Sequence, residues 1–261
     1  MRLILVCGII AGLAAPVMAQ DRPFLFSVAT GEVSKPAARI DYDIGVGERA
    51  FQSDVANQPE QRIGMHASLG RVTVLARFGI ADVGSSYQSS QSGEALYSIL
   101  GAHSRLALAV GGGMLHEAGG VNVLLSRVVA GRTTDSTRLY GNLLFQKPIS
   151  SDRDEVDLLT SVGWARTLSH GVSLGVEIVG EDLEGFWDSQ EAEGGARLLA
   201  GPSLHISPSG RRWQFTATGG PVFHPSDTGR GSDALRDLPP STKGTSYAFK
   251  ASLSIALVSG Q

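Results

Sequence analysis

Two residue pairs, His66 with Ser68 and His205 with Ser203, place an imidazole and a hydroxyl two positions apart, the spacing at which a β-strand shows both side chains on one face. A base beside a hydroxyl is the minimum for nucleophilic catalysis, and in a lipid environment it would suit a lipase or deacylase. The supporting parts are missing. No strand-turn-helix elbow frames a serine, and His116-Glu117 lacks the second histidine of a zinc helix. His103, His170 and His224 complete the histidines and add no motif. No catalytic set, metal site or cofactor is assigned.

A second chemistry is electrostatic. Arg39, Asp41, Asp43, Arg62, His66, Arg71 and Arg77 fall on the parity opposite the apolar residues of their segments, as do Glu94, Arg105, Arg138, Asp157, Glu177, Arg197, His205 and Lys250. Charges on one shared face of a closed sheet either set a field that sorts solutes by sign or pair off as a ladder of salt bridges. Arg71, Arg105 and Arg138 each follow a short turn, which would ring one mouth with cations and lean the pore toward anions. Glu181, Asp182, Glu184, Asp188, Glu191 and Glu193 make an acidic loop around Phe186-Trp187, without the ligand spacing of a calcium hand. Gly45-Val46-Gly47-Glu48-Arg49-Ala50 superficially matches a dinucleotide loop, but no amphipathic helix follows it.

The elements that carry these residues have a period of two. In Thr245 to Val258, Tyr247, Phe249, Leu253, Ile255 and Leu257 alternate with Ser246, Lys250, Ser252, Ser254 and Ala256. A tilted strand crosses a bilayer in roughly 9 to 11 residues, so this run is long enough to span. The same alternation recurs around 38–47, 62–69, 71–80, 94–102, 105–113, 121–130, 138–146, 157–164, 172–178, 196–205 and 213–218. Arg127 breaks the pattern by sharing parity with apolar neighbours, which calls for a bulge or a position near the membrane interface. Connections alternate in length, short near 70, 103, 133, 169 and 208, longer near 55, 87, 116, 150, 187 and 232. The expectation is an all-β, single up-and-down antiparallel transmembrane β-barrel of about 12 strands, or up to 14 if the short β segment at 24–32 also pairs. Its girdles would be Phe78, Phe145, Trp164, Trp213 and Tyr247, and inward Ala107, Ala109, Gly111, Ser161, Gly163, Ser252 and Ser254 would leave free cross-section.

Composition agrees. Arg2, the apolar run Leu3 to Ala15 and Val17-Met18-Ala19 read as an export signal over 1–20, leaving a segment 21–37 and a barrel 38–261. Cys7 is the chain's one cysteine and leaves with that signal, so neither disulfides nor a thiolate site is available. Thirty-three glycines and 18% charged residues suit turns and packed strands, and a net charge of −3 argues against nucleic acid as a partner.

Taken together, the alternating strands and sorted loops resemble the outer-membrane β-barrel proteins of Gram-negative bacteria, over essentially all of the mature sequence and by pattern rather than by any motif. The resemblance implies short periplasmic turns, longer external loops, and contact with outer-membrane lipid, lipopolysaccharide and the barrel-assembly machinery. The tail Leu257-Val258-Ser259-Gly260-Gln261 departs from it by lacking the terminal aromatic that this machinery reads. The implied function is porin-like passive passage of small polar solutes. Alternatives are an outer-membrane enzyme acting on lipid, a structural or adhesive barrel, and a soluble, secreted lipocalin-like binder.

Overall fold

A computed structural model of the chain describes residues 22–30, 36–47, 59–83, 86–100, 105–117, 120–149, 156–169, 171–181, 183, 196–223 and 246–258. The signal at 1–20, His103, His170, His224 and the acidic loop apart from Glu181 and Leu183 lie outside the described residues. Twelve strands follow one another: β1 (Ala37–Gly47), β2 (Glu60–Leu69), β3 (Val72–Val83), β4 (Ser86–Ser98), β5 (Leu106–His116) and β6 (Asn122–Thr133). They continue with β7 (Thr137–Pro148), β8 (Asp157–Ser169), β9 (Val172–Glu181), β10 (Arg197–Ile206), β11 (Trp213–Phe223) and β12 (Ser246–Val258). Each pairs antiparallel with its sequence neighbours, and β12 pairs with β1, so the sheet closes into a barrel with no free edge. The closing seam runs from Ala38↔Val258 to Gly47↔Ala248 with one register shift at Ala38/Arg39. In lipid, closure of this kind is what satisfies every strand's N–H and C=O groups.

The alternation is resolved by what lies on each side. Ile40, Tyr42, Ile44 and Val46 of β1, Ile63 and Met65 of β2, and Leu253 and Ile255 of β12 point outward and are 39–56% exposed, forming a continuous apolar belt. A soluble binding barrel hides such a surface inside; here it faces outward over the whole circumference, which removes the lipocalin-like alternative. The opposite parity carries Arg39, Asp41, Asp43, Arg62 and His66, all buried inside.

Two expectations change. Residues 82–92 read as a long loop, yet β4 begins at Ser86 and pairs with β3 from Val83↔Ser86 through Val72↔Tyr97. Pairing is a backbone property, whereas hydropathy reports only lipid contact, so a polar, solvent-projecting hairpin has no apolar stripe to reveal it. The stretch at 99–100 is a bend rather than the end of that strand. The connections at the end of the barrel away from the start of β1 span 48–59, 84–85, 117–121, 149–156, 182–196 and 224–245. Those at the other end span 70–71, 99–105, 134–136, 170–171 and 207–212, so the longest connections gather at one end, while 84–85 and 117–121 there are shorter than 99–105 and 207–212 opposite.

The second change concerns residues 24–32, read as a strand. Its described part, 24–30, together with the preceding Arg22 and Pro23, is in no sheet and lies inside the barrel, with Phe24, Leu25 and Phe26 all buried. Apolar inward positions meet it. Leu25 and Phe26 pack with Val123, Leu125, Leu144, Leu159 and Val179, while Phe24 and Val28 pack with Leu75, Leu96, Ala109 and Val129.

Candidate functional site

An irregular segment in a lumen has no ladder to satisfy its backbone, so each N–H and C=O needs a wall side chain. The wall supplies them at four places. Beside β1, β11 and β12, the Arg22 guanidinium donates to both Asp43 carboxylate oxygens at 2.7 and 3.0 Å and to Ser252 Oγ at 2.7 Å. Asp41 lies 3.4 Å from the same group. This planar fork on a carboxylate is the strong, charge-assisted form of hydrogen bond. Burial alone would lower the Arg22 pKa, but Asp43 and Asp41 outweigh it and hold the group above its ordinary value, so its charge persists at any working pH. Arg22 N donates to Gln214 Oε1 at 2.9 Å, and its carbonyl accepts from Thr216 Oγ1 at 2.7 Å.

Across the lumen, Glu177 of β9 is fully buried and accepts three successive N–H groups, from Leu25, Phe26 and Ser27, at 3.0, 2.8 and 3.0 Å. Convergent backbone amides around one carboxylate form an anion nest, here contributed by the segment around a wall group. Next to it, Ser27 Oγ donates to Ser161 Oγ at 3.1 Å. Asn142 of β7 accepts from Val28 N at 3.0 Å and donates to Val28 O at 3.2 Å, imitating a strand partner.

Small inward residues make room for the rings. A Cβ on Gly163 would come within 2.5 Å of the Phe24 ring. Phe24 meets Tyr140 at 6.4 Å between centroids with planes tilted by 58°, a favourable aromatic arrangement. Lys250 Nζ stands 5.2 Å from the Phe26 ring centre, a cation–π distance. The cross-section expected from Ala109, Ser161, Gly163 and Ser252 is therefore occupied by the segment they touch or bond.

The remaining interior charges pair. Arg127 is 2% exposed and grips Glu94 through Nε and Nη2 at 2.7 and 3.0 Å, with Arg77 3.5 Å from the same carboxylate. No bulge surrounds Arg127: β6 turns Val123, Leu125, Arg127 and Val129 inward in regular register with β5 and β7. Its apolar neighbours share its parity because they cover the segment, not because they face lipid. Arg39 Nε is 3.0 Å from Asp41 Oδ1, Arg197 is 3.1 Å from Glu181, and Arg62 pairs with Glu60.

The other predicted positions scatter. Arg138 and Asp157 are half-buried at strand starts. Arg71 is exposed in the β2–β3 turn and reaches the hydroxyl of outward Tyr97 at 3.5 Å, and Arg105 is exposed in the bend before β5. Arg71, leaning on outward Tyr97, does not join a ring of Arg71, Arg105 and Arg138 that faces the lumen. Phe78, Phe145, Trp164, Trp213 and Tyr247 all point outward and are exposed. Trp213 and Tyr247 stand at strand ends, whereas Phe78 and Trp164 lie deeper in β3 and β8, within the belt.

The two lumen histidines are engaged. His66 Nδ1 is 2.6 Å from Arg39 Nη2, and His205 Nδ1 is 2.9 Å from the Thr216 hydroxyl that holds the Arg22 carbonyl. The sequence Gly171-Val172-Ser173-Leu174-Gly175 spells a nucleophile-elbow pattern, but Ser173 lies within β9 with its Oγ 3.3 Å from Thr167 Oγ1. That is a strand, with no elbow to expose the hydroxyl.

The interior holds two cavities of about 30 Å³ each, the first beside the segment and the second among wall residues alone, with room for a water or two. Arg22, Arg39, Arg62 and Arg77 line the first against only Asp41 and Asp43 as carboxylates. Arg62, Arg77 and Arg127 line the second against Glu94.

No family model matches this sequence, and no curated protein matches it. Solved structures do. The NanC porin superposes with a TM-score of 0.57 at 8% identity, covering 83% of this chain and 98% of that one. The KdgM porin in complex with disordered oligogalacturonate gives 0.56 at 10% identity over the same shares. The chain has the closed antiparallel barrel fold of these two structures. At such identities the likeness is one of fold alone.

Proposed function

We propose that the protein is an outer-membrane barrel for passive, porin-like passage of small polar solutes with a lean toward anions. The observation that carries the lean is the charge at the interior cavities: five guanidinium groups, of Arg22, Arg39, Arg62, Arg77 and Arg127, line them against the carboxylates of Asp41, Asp43 and Glu94, and Glu60, paired with Arg62, still leaves one cation in excess. A surplus of fixed cations in a narrow, low-dielectric channel raises the local concentration of anions. The likeness to a porin solved with oligogalacturonate, itself a polyanionic sugar, supports the same direction. The lumen-facing set runs through Arg39, Asp41, Asp43, Arg62, His66, Arg77, Glu177, Arg197, His205 and Lys250. Residues 1–20 direct export, and the outer belt meets outer-membrane lipid and lipopolysaccharide after insertion by the assembly machinery. The test is the reversal potential of bilayer-inserted protein across a salt gradient: anion preference is expected, and cation preference overturns the lean. A second reading, a non-conducting structural barrel, is favoured by the filled lumen, and absence of any conductance from folded protein would establish it.

A further inference from the structure

We infer that residues 22–30 are a releasable plug that keeps the pore shut at rest, and that solute passes only when the segment leaves its wall contacts. The inference rests on the passage reading above and specifies how that passage is controlled. Three features carry it. The segment is not part of the wall: the twelve strands close through β1 and β12 without it, so its departure breaks no ladder bond. It blocks the lumen across its width, since its contacts run from Asp43 and Ser252 at the closing seam to Glu177 on β9 and Asn142 on β7. Its attachments are side chains that form no ladder, so they can be exchanged for water or solute one at a time. They are a latch at Arg22 and a cradle at Glu177.

A static filler would need no such attachments; inward wall residues could have filled the space as ordinary core. Here the wall instead offers acceptors and donors shaped to a peptide backbone, and small residues such as Gly163 under Phe24. The apolar contacts of Phe24, Leu25, Phe26 and Val28 with the wall weigh toward the shut state, which makes openings brief. A solute bearing carboxylates competes for the Arg22 guanidinium with Asp43 and Asp41 and adds to release.

The test is single-channel recording on the full chain, each variant first shown to be folded by heat-modifiable migration. Glu177→Ala removes the acceptor of three N–H groups and should raise open probability at least tenfold over the parent, with Glu177→Gln, which keeps one acceptor oxygen, in between. Ser27→Cys with Ser161→Cys replaces two oxygens 3.1 Å apart, a separation that disulfide formation can draw together. The oxidised pair should be silent, and reductant should restore openings. If the oxidised pair conducts like the parent and Glu177→Ala leaves open probability unchanged, the plug is refuted while passage stands. If every folded variant, reduced or oxidised, is silent, the passage reading falls, and the plug with it.

Discussion

Arg127 and Glu94 show what the interior charges do at the scale of single residues. The pair is nearly fully buried and bonded through two nitrogens, so separating it costs more than deleting it. Arg127→Ala should destabilise the barrel by about 3–5 kcal/mol, at the low end because Arg77 can partly replace the lost cation, whereas Arg127→Met with Glu94→Gln should cost far less. Urea titration of lipid-inserted protein, read as a double-mutant cycle, measures the difference. Gly163 makes the matching steric case. Because its Cβ would strike the Phe24 ring, Gly163→Val should push the segment away from β8 and raise the labelling rate of a cysteine at position 27 at least tenfold, without touching the lipid face. Parity in the sequence placed Arg39, Asp41, Asp43 and Glu177 on the polar side of their strands, but nothing local marks their partners. Arg22 and Gln214 are 192 residues apart, and Val28 and Asn142 are 114 apart. The one available signal was apolar residues on the wrong parity: Val123, Leu125, Leu159 and Val179 on an inward face mean that something apolar fills the lumen.

At the scale of elements, a strand is legible from sequence only where lipid and lumen impose opposite polarities on its two faces. β1 and β12 satisfy that condition over most of their length, and their alternation sufficed to pair them as the seam. The outer half of β4 does not. Tyr87 is 79% exposed beside serines and glutamines, as expected of a hairpin that has left the membrane. The two environments make opposite predictions for one substitution. Leu143→Arg, at the middle of β7 on the lipid face, should destabilise by about 2–4 kcal/mol, while Tyr87→Arg should change stability by less than about 0.5 kcal/mol. Urea unfolding of the two variants in vesicles compares them directly; equal costs would mean that β4 is embedded to its tip. Residues 22–30 were illegible for the converse reason: irregular backbone has no period, and a run such as Phe24-Leu25-Phe26 reads as well as a strand as it does as packing.

For the whole molecule, fold and function separate. A closed twelve-strand wall with an apolar belt follows from alternation and loop sorting, and the likeness to two porins concerns that wall alone. What distinguishes this chain is inside it, where a segment preceding β1 occupies the space that small inward residues leave. The central claim, that this segment resides in the lumen of the membrane-inserted protein, is tested most directly by labelling Ser27→Cys in intact outer membranes with a membrane-impermeant maleimide. The account predicts strong protection, with labelling far slower in the folded barrel than after heat unfolding, and quantitative disulfide formation when Ser161→Cys is present. Rapid labelling in the folded barrel, with no cross-link to position 161, would contradict it.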